Sequence, residues 1–217
     1  MIVANLGHVY LLNFYAESKK CESFFQFGEL VKMKVWAILG RKTEIDMVGH
    51  GMGGMTIRAA ICSGEPLLNV HTCVTIATAH GGSQRARSNN FSGKWFSKLI
   101  DLFFSEKAYH DHQANNLEFD SEPMKAINTL MNRRLFLERI RELFQISQAT
   151  EKNVSPHSIL KNKGVETLYQ EKVREFTIEG AKDILQDPRT IHAIIEILLN
   201  GQLFPLDLND GHVIQKV

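Results

Sequence analysis

The residues with the clearest chemical signature lie in a glycine-rich turn at positions 49–54, which read GHGMGG. A short apolar run precedes this turn and a helix-forming run follows it, which is the setting of a nucleophile elbow with the pattern G-x-S-x-G. In such an elbow the chain turns so sharply that side chains two residues before and after the nucleophile would clash. Gly49 and Gly53 stand at these two flanks, so the spacing predicts an elbow of the kind that presents a nucleophile for acyl transfer.

The nucleophile itself is absent from this turn, because Gly51 stands where the pattern has serine. Acyl transfer needs an activated nucleophile, a base, an acid that orients the base and two donors for the oxyanion. Gly51 has no side chain that could attack an ester carbonyl. The backbone N–H of Met52, at the expected start of the helix, is a candidate oxyanion donor. His50 and Gly54 complete the elbow, and we expect His50 to be structural.

The neighbouring serine and cysteine residues do not fit the pattern as replacement nucleophiles. Ser63 and Ser83 are near the turn in sequence, but neither lies between a strand and a helix with glycines on both sides. Cys62 follows the elbow by about three helical turns, which predicts a thiol that packs in the core. We therefore expect no covalent chemistry from these three residues.

Two segments that contain histidine allow other interpretations. Residues 80–82 read His-Gly-Gly and are similar to an H-G-G oxyanion motif, but they follow the elbow instead of preceding it, which favours an ordinary loop. Residues 110–112 read His-Asp-His and offer three metal ligands in a polar stretch, where a solvent-exposed loop is the more common outcome. We therefore expect neither a metal site nor another cofactor.

The overall composition restricts the class of protein without identifying its chemistry. The 217 residues are 44% apolar and 23% charged, as in globular domains, with 25 basic and 24 acidic side chains. This balance excludes a strongly basic nucleic-acid-binding protein. The three cysteines are an odd number without zinc-type spacing, and no apolar run is long enough to span a membrane. Because the first residues also lack the basic region of a signal peptide, the expected compartment is the cytoplasm.

Strand and helix patterns alternate through the first eighty or so residues. Short apolar runs predict strands and longer stripes predict helices, with strands expected at 8–14, 44–48 and 70–77 and helices at 17–39, ending at Gly40, and 55–62. An alternation of this kind is typical of an α/β fold with a parallel sheet.

The second half of the chain has a different pattern, in which helices with polar linkers dominate residues 90–166. An aromatic stripe at 95–104 predicts either a lid helix that opens at a lipid surface or a helix that packs on the sheet. An apolar stripe predicts another helix at 126–144. A strand at 173–178 and a helix at 191–199 are expected to return the chain to the core. These patterns divide the chain into residues 1–89, 90–166 and 167–217.

The sequence IDMVGHGMGGMTIRAAI around the elbow resembles the α/β-hydrolase lipases and esterases of bacteria at nearly every position except Gly51. Other segments resemble the same family in the same order, namely GHVYLLNF, VTIATAHGGS, VREFTIEGA and NDGHV. The resemblance implies a partial α/β-hydrolase fold with a mostly parallel sheet, flanking helices and a helical lid-like insertion at 90–166. It also implies that Asp210, in NDGHV, occupies the position of the triad acid and that the family activity is hydrolysis of carboxylic esters.

The departures from the family pattern predict a chain without catalytic activity. In the family, the first oxyanion donor follows a strand that would lie before Met1, and the catalytic histidine lies well beyond the NDG segment, whereas seven residues follow Asp210 here. His212 lies two residues after Asp210, which is the wrong position for that histidine. We therefore expect a relative that is truncated at both ends, and a lipid or an acyl ester is the ligand expected for the ancestral pocket.

Two alternatives remain open from the sequence. In one, the chain is a non-enzymatic module that binds a lipid or a protein on the hydrolase fold. In the other, it is an active ester hydrolase in which Gly51 is an engineered or erroneous residue. Family members are often secreted, but the start of this chain does not resemble an export signal.

Overall fold

The computed structural model describes residues 8–12, 21, 23–82, 121–148, 164–181, 183–200 and 213–216. Helices and strands alternate through most of these ranges. In chain order they are α1 (Phe24–Leu39), β1 (Ile45–His50), α2 (Met52–Cys62), β2 (Val70–Ile76), α3 (Glu122–Ile127), α4 (Leu130–Glu138), β3 (Ile140–Gln148), α5 (Glu166–Lys172), β4 (Val173–Ile178), α6 (Pro188–Asn200) and β5 (Val213–Lys216).

The described strands form one five-stranded sheet in the order β1-β2-β3-β4-β5. The first four strands are parallel, and β5 pairs antiparallel with β4. Helices flank this mostly parallel sheet, so the predicted partial α/β fold is confirmed. The predicted strands at 44–48, 70–77 and 173–178 correspond to β1, β2 and β4, and the predicted helix at 191–199 lies within α6.

The core lies on both faces of the sheet. Side chains alternate between the faces of a strand, and neighbouring residues accordingly belong to different clusters. Cys73 and Leu143 pack in the cluster that includes residues of α1, α2 and α4. Val74 and Phe144 pack in the second cluster, to which α6 contributes Ala193 and Ile197. This burial on both faces is the reason why β2 and β3 are almost continuously buried.

Helix α1 ends where its sequence predicts. Gly40 has φ = 81° and its N–H donates to the carbonyl of Trp36, which is a helix end that glycine allows because it has no Cβ. At the other end, the Ser23 hydroxyl accepts a hydrogen bond from the N–H of Gln26. The described helix therefore begins at Phe24, and residues 17–20 and 22 of the predicted range lie outside the described residues.

The strand predicted at residues 8–14 is wrong for residues 8–12, which have no regular secondary structure. Val9 and Leu11 are 78% and 95% exposed. A strand forms only where another strand accepts its backbone hydrogen bonds, and no described strand pairs with this segment. Its β-branched and aromatic side chains indicate a propensity for strand, but the segment has no described partner strand to pair with.

The helix predicted at residues 126–144 is wrong beyond Glu138. The chain forms α3 and α4 and then β3, which pairs with β2 on one side and β4 on the other. Four consecutive residues, 143–146, are buried because a central parallel strand is covered on both faces. In a short apolar run of this kind, periodicity does not distinguish a buried strand from a helix.

The lid-like insertion proposed for residues 90–166 therefore has a core strand inside its bounds. The aromatic stripe at 95–104, on which the lid hypothesis depends, lies outside the described residues. The lid stays a prediction from the sequence.

Replacing Phe144 tests the assignment of β3 to the core. Phe144 is 2% exposed and its ring stacks on Phe176 with centroids 6.1 Å apart. We expect Phe144→Ala to lower the free energy of unfolding by about 3–5 kcal/mol because a large buried side chain leaves a cavity. Arg141→Ala, at an exposed position of the same strand, should change it by less than about 0.5 kcal/mol. Chemical denaturation measures both, and equal effects would contradict the assignment.

Candidate functional site

A single residue joins β1 to α2. β1 ends at His50, Gly51 has φ = 53° and ψ = −117°, and Met52 is the first residue of α2. The N–H of Gly51 donates to the carbonyl of Ile76 at 2.8 Å, so the turn is anchored to the end of β2. Residues 49–54 therefore have the strand–turn–helix geometry in which an elbow presents a side chain at the carboxyl edge of a parallel sheet.

The structure leaves open space at position 51, where a side chain would lie if the residue were not glycine. A Cβ atom built on Gly51 would have no other heavy atom within 4 Å, apart from its chain neighbours. The φ of 53° lies in the left-handed region, which glycine adopts without strain and other residues rarely do. As the N-cap of α2, Gly51 also makes no side-chain hydrogen bond to the helix.

The two flanking glycines differ in their surroundings. A Cβ on Gly49 would lie 2.7 Å from the carbonyl carbon of Gly53 and 2.7 Å from the nitrogen of Gly54, so the steric argument is confirmed there. A Cβ on Gly53 would meet nothing within 4 Å, so the expected clash at this second flank is wrong. The crowded position is one residue later, because a Cβ on Gly54 would collide with the side chain of Thr78.

Met52, the candidate oxyanion donor, is the residue that follows the turn. The first N–H groups of a helix have no carbonyl four residues earlier within the helix, and together they form the positive end of the helix dipole. Met52 is the first residue of α2, and the first turn of this helix contains no acidic side chain. The role of its N–H as an oxyanion donor stays a prediction.

His50 is partly buried next to the turn. Burial lowers the pKa of its imidazole below the usual value because the charged form loses solvation, and the negative charge of Asp183 acts in the opposite direction. The imidazole is therefore neutral at pH 7. This environment fits the structural role expected for His50.

His80 is an interior residue of the loop that follows β2. It is 1% exposed, its Nε2 lies 3.2 Å from the hydroxyl of Thr75, and its ring packs near that of Phe136. Its backbone N–H donates to the carbonyl of Thr78, and the N–H of Gly82 donates to that of Ala79. Because these amides are used within the loop, the His-Gly-Gly segment has the ordinary loop structure that its position favours.

Ser63 and Cys62 lie at the opposite end of α2 from Gly51, which at 1.5 Å per residue is roughly 16 Å away. The hydroxyl of Ser63 donates to the carbonyl of Ala60 at 2.7 Å and accepts from Lys32 at 2.8 Å. Burial raises the pKa of the Cys62 thiol to about 11, so it is not a thiolate at neutral pH. Both residues are structural.

A cluster formed by Asp46, His71 and Thr72, which the sequence analysis did not consider, lies near the start of β1 and β2. Asp46 Oδ1 is 3.2 Å from His71 Nδ1, and the hydroxyl of Thr72 is 2.8 Å from the same nitrogen. A catalytic relay needs the acid and the nucleophile on different ring nitrogens, so this geometry does not form one. The cluster also lies at the opposite end of the strands from Gly51.

Arg58 is the second feature that the sequence analysis missed. It is 0% exposed in the middle of α2, where the apolar run MTIRAAI predicts a core helix. The sequence did contain a signal for this buried residue, namely an arginine within an apolar run on a helix that is expected to pack in the core.

Other candidate residues lie outside the described ranges. These are Asp210, Ser83 and the His-Asp-His segment at 110–112. Within the ranges that are described, no three side chains of the His, Cys, Asp and Glu types are grouped closely enough to hold a metal ion. None of the described helices is both long and apolar enough to cross a bilayer.

Comparison with known proteins gives a distant structural likeness. No family model and no curated protein matches the sequence. Among solved structures, the chain is similar to the crystal structure of a Bacillus licheniformis lipase in its propeptide form, with 18% identity and a TM-score of 0.40. The match covers 57% of this chain and 26% of the lipase chain, so it spans about a quarter of that protein. A likeness at this level assigns neither a family nor an activity.

Replacing Gly49 and Gly53 by alanine should change the free energy of unfolding in opposite directions. We expect Gly49→Ala to lower the free energy of unfolding by about 1–3 kcal/mol, because its methyl group meets the backbone of α2. Gly53→Ala places a methyl group in open space within a helix and should raise it by up to about 1 kcal/mol. Urea titration of both variants measures the difference, and a similar loss in both would contradict the described packing.

The lowered pKa of His50 predicts how the free energy of unfolding depends on pH. Because the folded-state pKa is lowered, the unfolded chain binds more protons below about pH 6.5, and stability falls as the pH falls through this range. We expect the free energy of unfolding to decrease less between pH 7.5 and pH 5.5 in His50→Gln than in the wild type. Parallel decreases in the two proteins would show that His50 does not contribute.

Proposed function

We propose that this chain is a lipase/esterase-like relative of the α/β hydrolases that keeps the elbow but forms no acyl-enzyme. The observation that carries the proposal is Gly51, which stands at the turn of a strand–turn–helix unit and has no side chain. The sequence around the turn supports the family relationship, and the mostly parallel sheet with flanking helices is the architecture that such a relative requires.

The absence of the side chain removes the first step of the family reaction. In that step a serine oxygen attacks the ester carbonyl, a base takes the hydroxyl proton, and the developing oxyanion is held by backbone N–H groups. Gly51 ends at its Cα, so no oxygen can form the acyl bond. The Met52 N–H could still polarise a carbonyl, but polarisation without a nucleophile leaves only attack by water, which is not activated.

Three of the described histidines, which could otherwise serve as a general base, are engaged with other side chains. His80 is buried and bonded to Thr75, and His71 is bonded to Asp46 and Thr72 near the start of β1 and β2. His192 lies 3.9 Å from Glu196 on α6. Asp210, proposed as the position of the triad acid, lies outside the described residues and would have no described base to orient.

Labelling with a fluorophosphonate probe tests the proposal directly. The probe reacts with activated serine nucleophiles, so we expect no covalent adduct on the wild-type chain. Gly53→Ser serves as a control because it also places a hydroxyl in open space in the same turn. Intact-protein mass spectrometry detects the adduct, and a stoichiometric adduct on the wild type would refute the proposal.

Restoring the serine should return little activity and should destabilise the fold. Gly51→Ser places a side chain at φ = 53°, and strain of this kind costs about 1–3 kcal/mol. We expect its hydrolysis of a short-chain ester to stay within a few-fold of the wild-type rate, because a serine without an aligned base is a weak nucleophile and His71, His80 and His192 are engaged with other side chains. Turnover that rises by orders of magnitude in Gly51→Ser, but not in Gly53→Ser, would show that the remaining machinery is present.

A further inference from the structure

The side chain of Arg58 is completely buried, and its described partners are all uncharged. Nη1 donates to the carbonyl of His80 at 3.1 Å and to Oδ1 of Asn128 at 2.9 Å, and Nη2 donates to the carbonyl of Ile127 at 2.8 Å. Among the described residues no carboxylate forms an ion pair with it. Nε of Arg58 is buried and has no hydrogen-bond partner among the described residues, so the three bonds of Nη1 and Nη2 are what offsets the cost of burying the charge.

The surroundings of the guanidinium favour its positive charge in the absence of a carboxylate. Ile127 is the last residue of α3, so its carbonyl belongs to the negative end of a helix. The ring of Phe136 lies 5.7 Å from the guanidinium carbon, within the range of a cation–π contact. Burial lowers the pKa of Arg58 only to about 10, so the side chain remains charged at neutral pH.

The partners of Arg58 are far apart in sequence. His80 is 22 residues after Arg58, and Ile127 and Asn128 are 69 and 70 residues after it. His80 lies in the loop after β2, and Ile127 and Asn128 lie at the end of α3. One side chain of α2 thus joins two chain segments that are distant in sequence.

A second contact on the same face of α2 supports this arrangement. Gly54 is four residues before Arg58, so the two residues lie one above the other on the helix. A Cβ on Gly54 would collide with Thr78, which shows that the loop after β2 is packed closely on this face. α3 is packed beside it, where Met124 and Ile127 form a cluster with Phe24 and Met55.

We infer that Arg58 is an internal clamp that holds two stems, residues 78–82 after β2 and residues 121–128 with α3, against the helix of the elbow. The clamp couples the position of these stems to α2 and therefore to the turn at Gly51. Neither a lysine nor a methionine can replace it. A single ammonium group cannot reach acceptors on both stems with the geometry of a planar guanidinium, and a thioether would leave all of these acceptors without a donor.

The thiols of this protein provide a test that separates local release from global unfolding. Cys62 Sγ contacts the carbonyl of Asn132 at the start of α4, and the Asn132 side chain donates to Ala126 in α3, so Cys62 reports on the attachment of the α3–α4 stem. Cys73 is 0% exposed in β2 and reports on the sheet. A maleimide reagent in excess, with peptide mass spectrometry, gives the labelling rate at each cysteine under native conditions.

We expect Arg58→Met and Arg58→Lys each to raise the labelling rate of Cys62 at least tenfold relative to that of Cys73. Arg134→Met is the matched control, because Arg134 is an exposed arginine on α4 that pairs with Glu138, and its ratio should equal that of the wild type. If Arg58→Met does not fold, Arg58→Lys decides the outcome. Equal acceleration at Cys62 and Cys73, or no acceleration, in the folded Arg58 variants would overturn the clamp.

Discussion

Helix α2 lies very close to three of its neighbours, and at each of these three contacts a glycine takes the place of a larger residue. Gly49 lets β1 approach the first turn of the helix, Gly54 accepts Thr78 from the loop after β2, and Gly28 of α1 lies against the backbone of Ala59 and Ala60. These contacts bring the helix closer to the sheet and to α1 than side chains would allow. The position of the elbow, and of every element that packs on α2, depends on this close approach.

The close approach also explains how a charged residue can lie in the core. With the loop after β2 and α3 both packed on one face of α2, the guanidinium of Arg58 is surrounded by carbonyl groups instead of water. The hydrogen bonds that satisfy it are contributed by two segments that are distant in sequence. The two kinds of contact therefore act on the same face of α2. The glycines allow the neighbouring segments to approach the helix closely, and the hydrogen bonds of Arg58 then hold the loop after β2 and α3 against it.

The parts of the fold that could be predicted are those in which a local rule decides the structure. The end of α1 at Gly40 and the turn at Gly51 depend on backbone geometry that a few residues specify. β3 could not be predicted, because the run around Leu143 and Phe144 suits a helix and a buried strand equally until its neighbours in the sheet are known. The open space at Gly53 and the buried contacts of Arg58 likewise depend on which segments pack together, which no local pattern in the sequence specifies. Of the candidate site, the strand, the sharp turn at Gly51 and the helix after it were predictable, whereas the roles of Gly51, Met52 and Asp210 in catalysis remain predictions.

The positive φ of Gly51 restricts which residues this turn accepts. A side chain there would strain the backbone, and a difference of one or two kcal/mol changes the ratio of folded to unfolded chains by a factor of about 5–30. Selection for a folded chain alone therefore favours glycine at position 51, whatever the chain does. A variant with a reactive side chain at this turn would have to offset that loss of stability elsewhere in the fold.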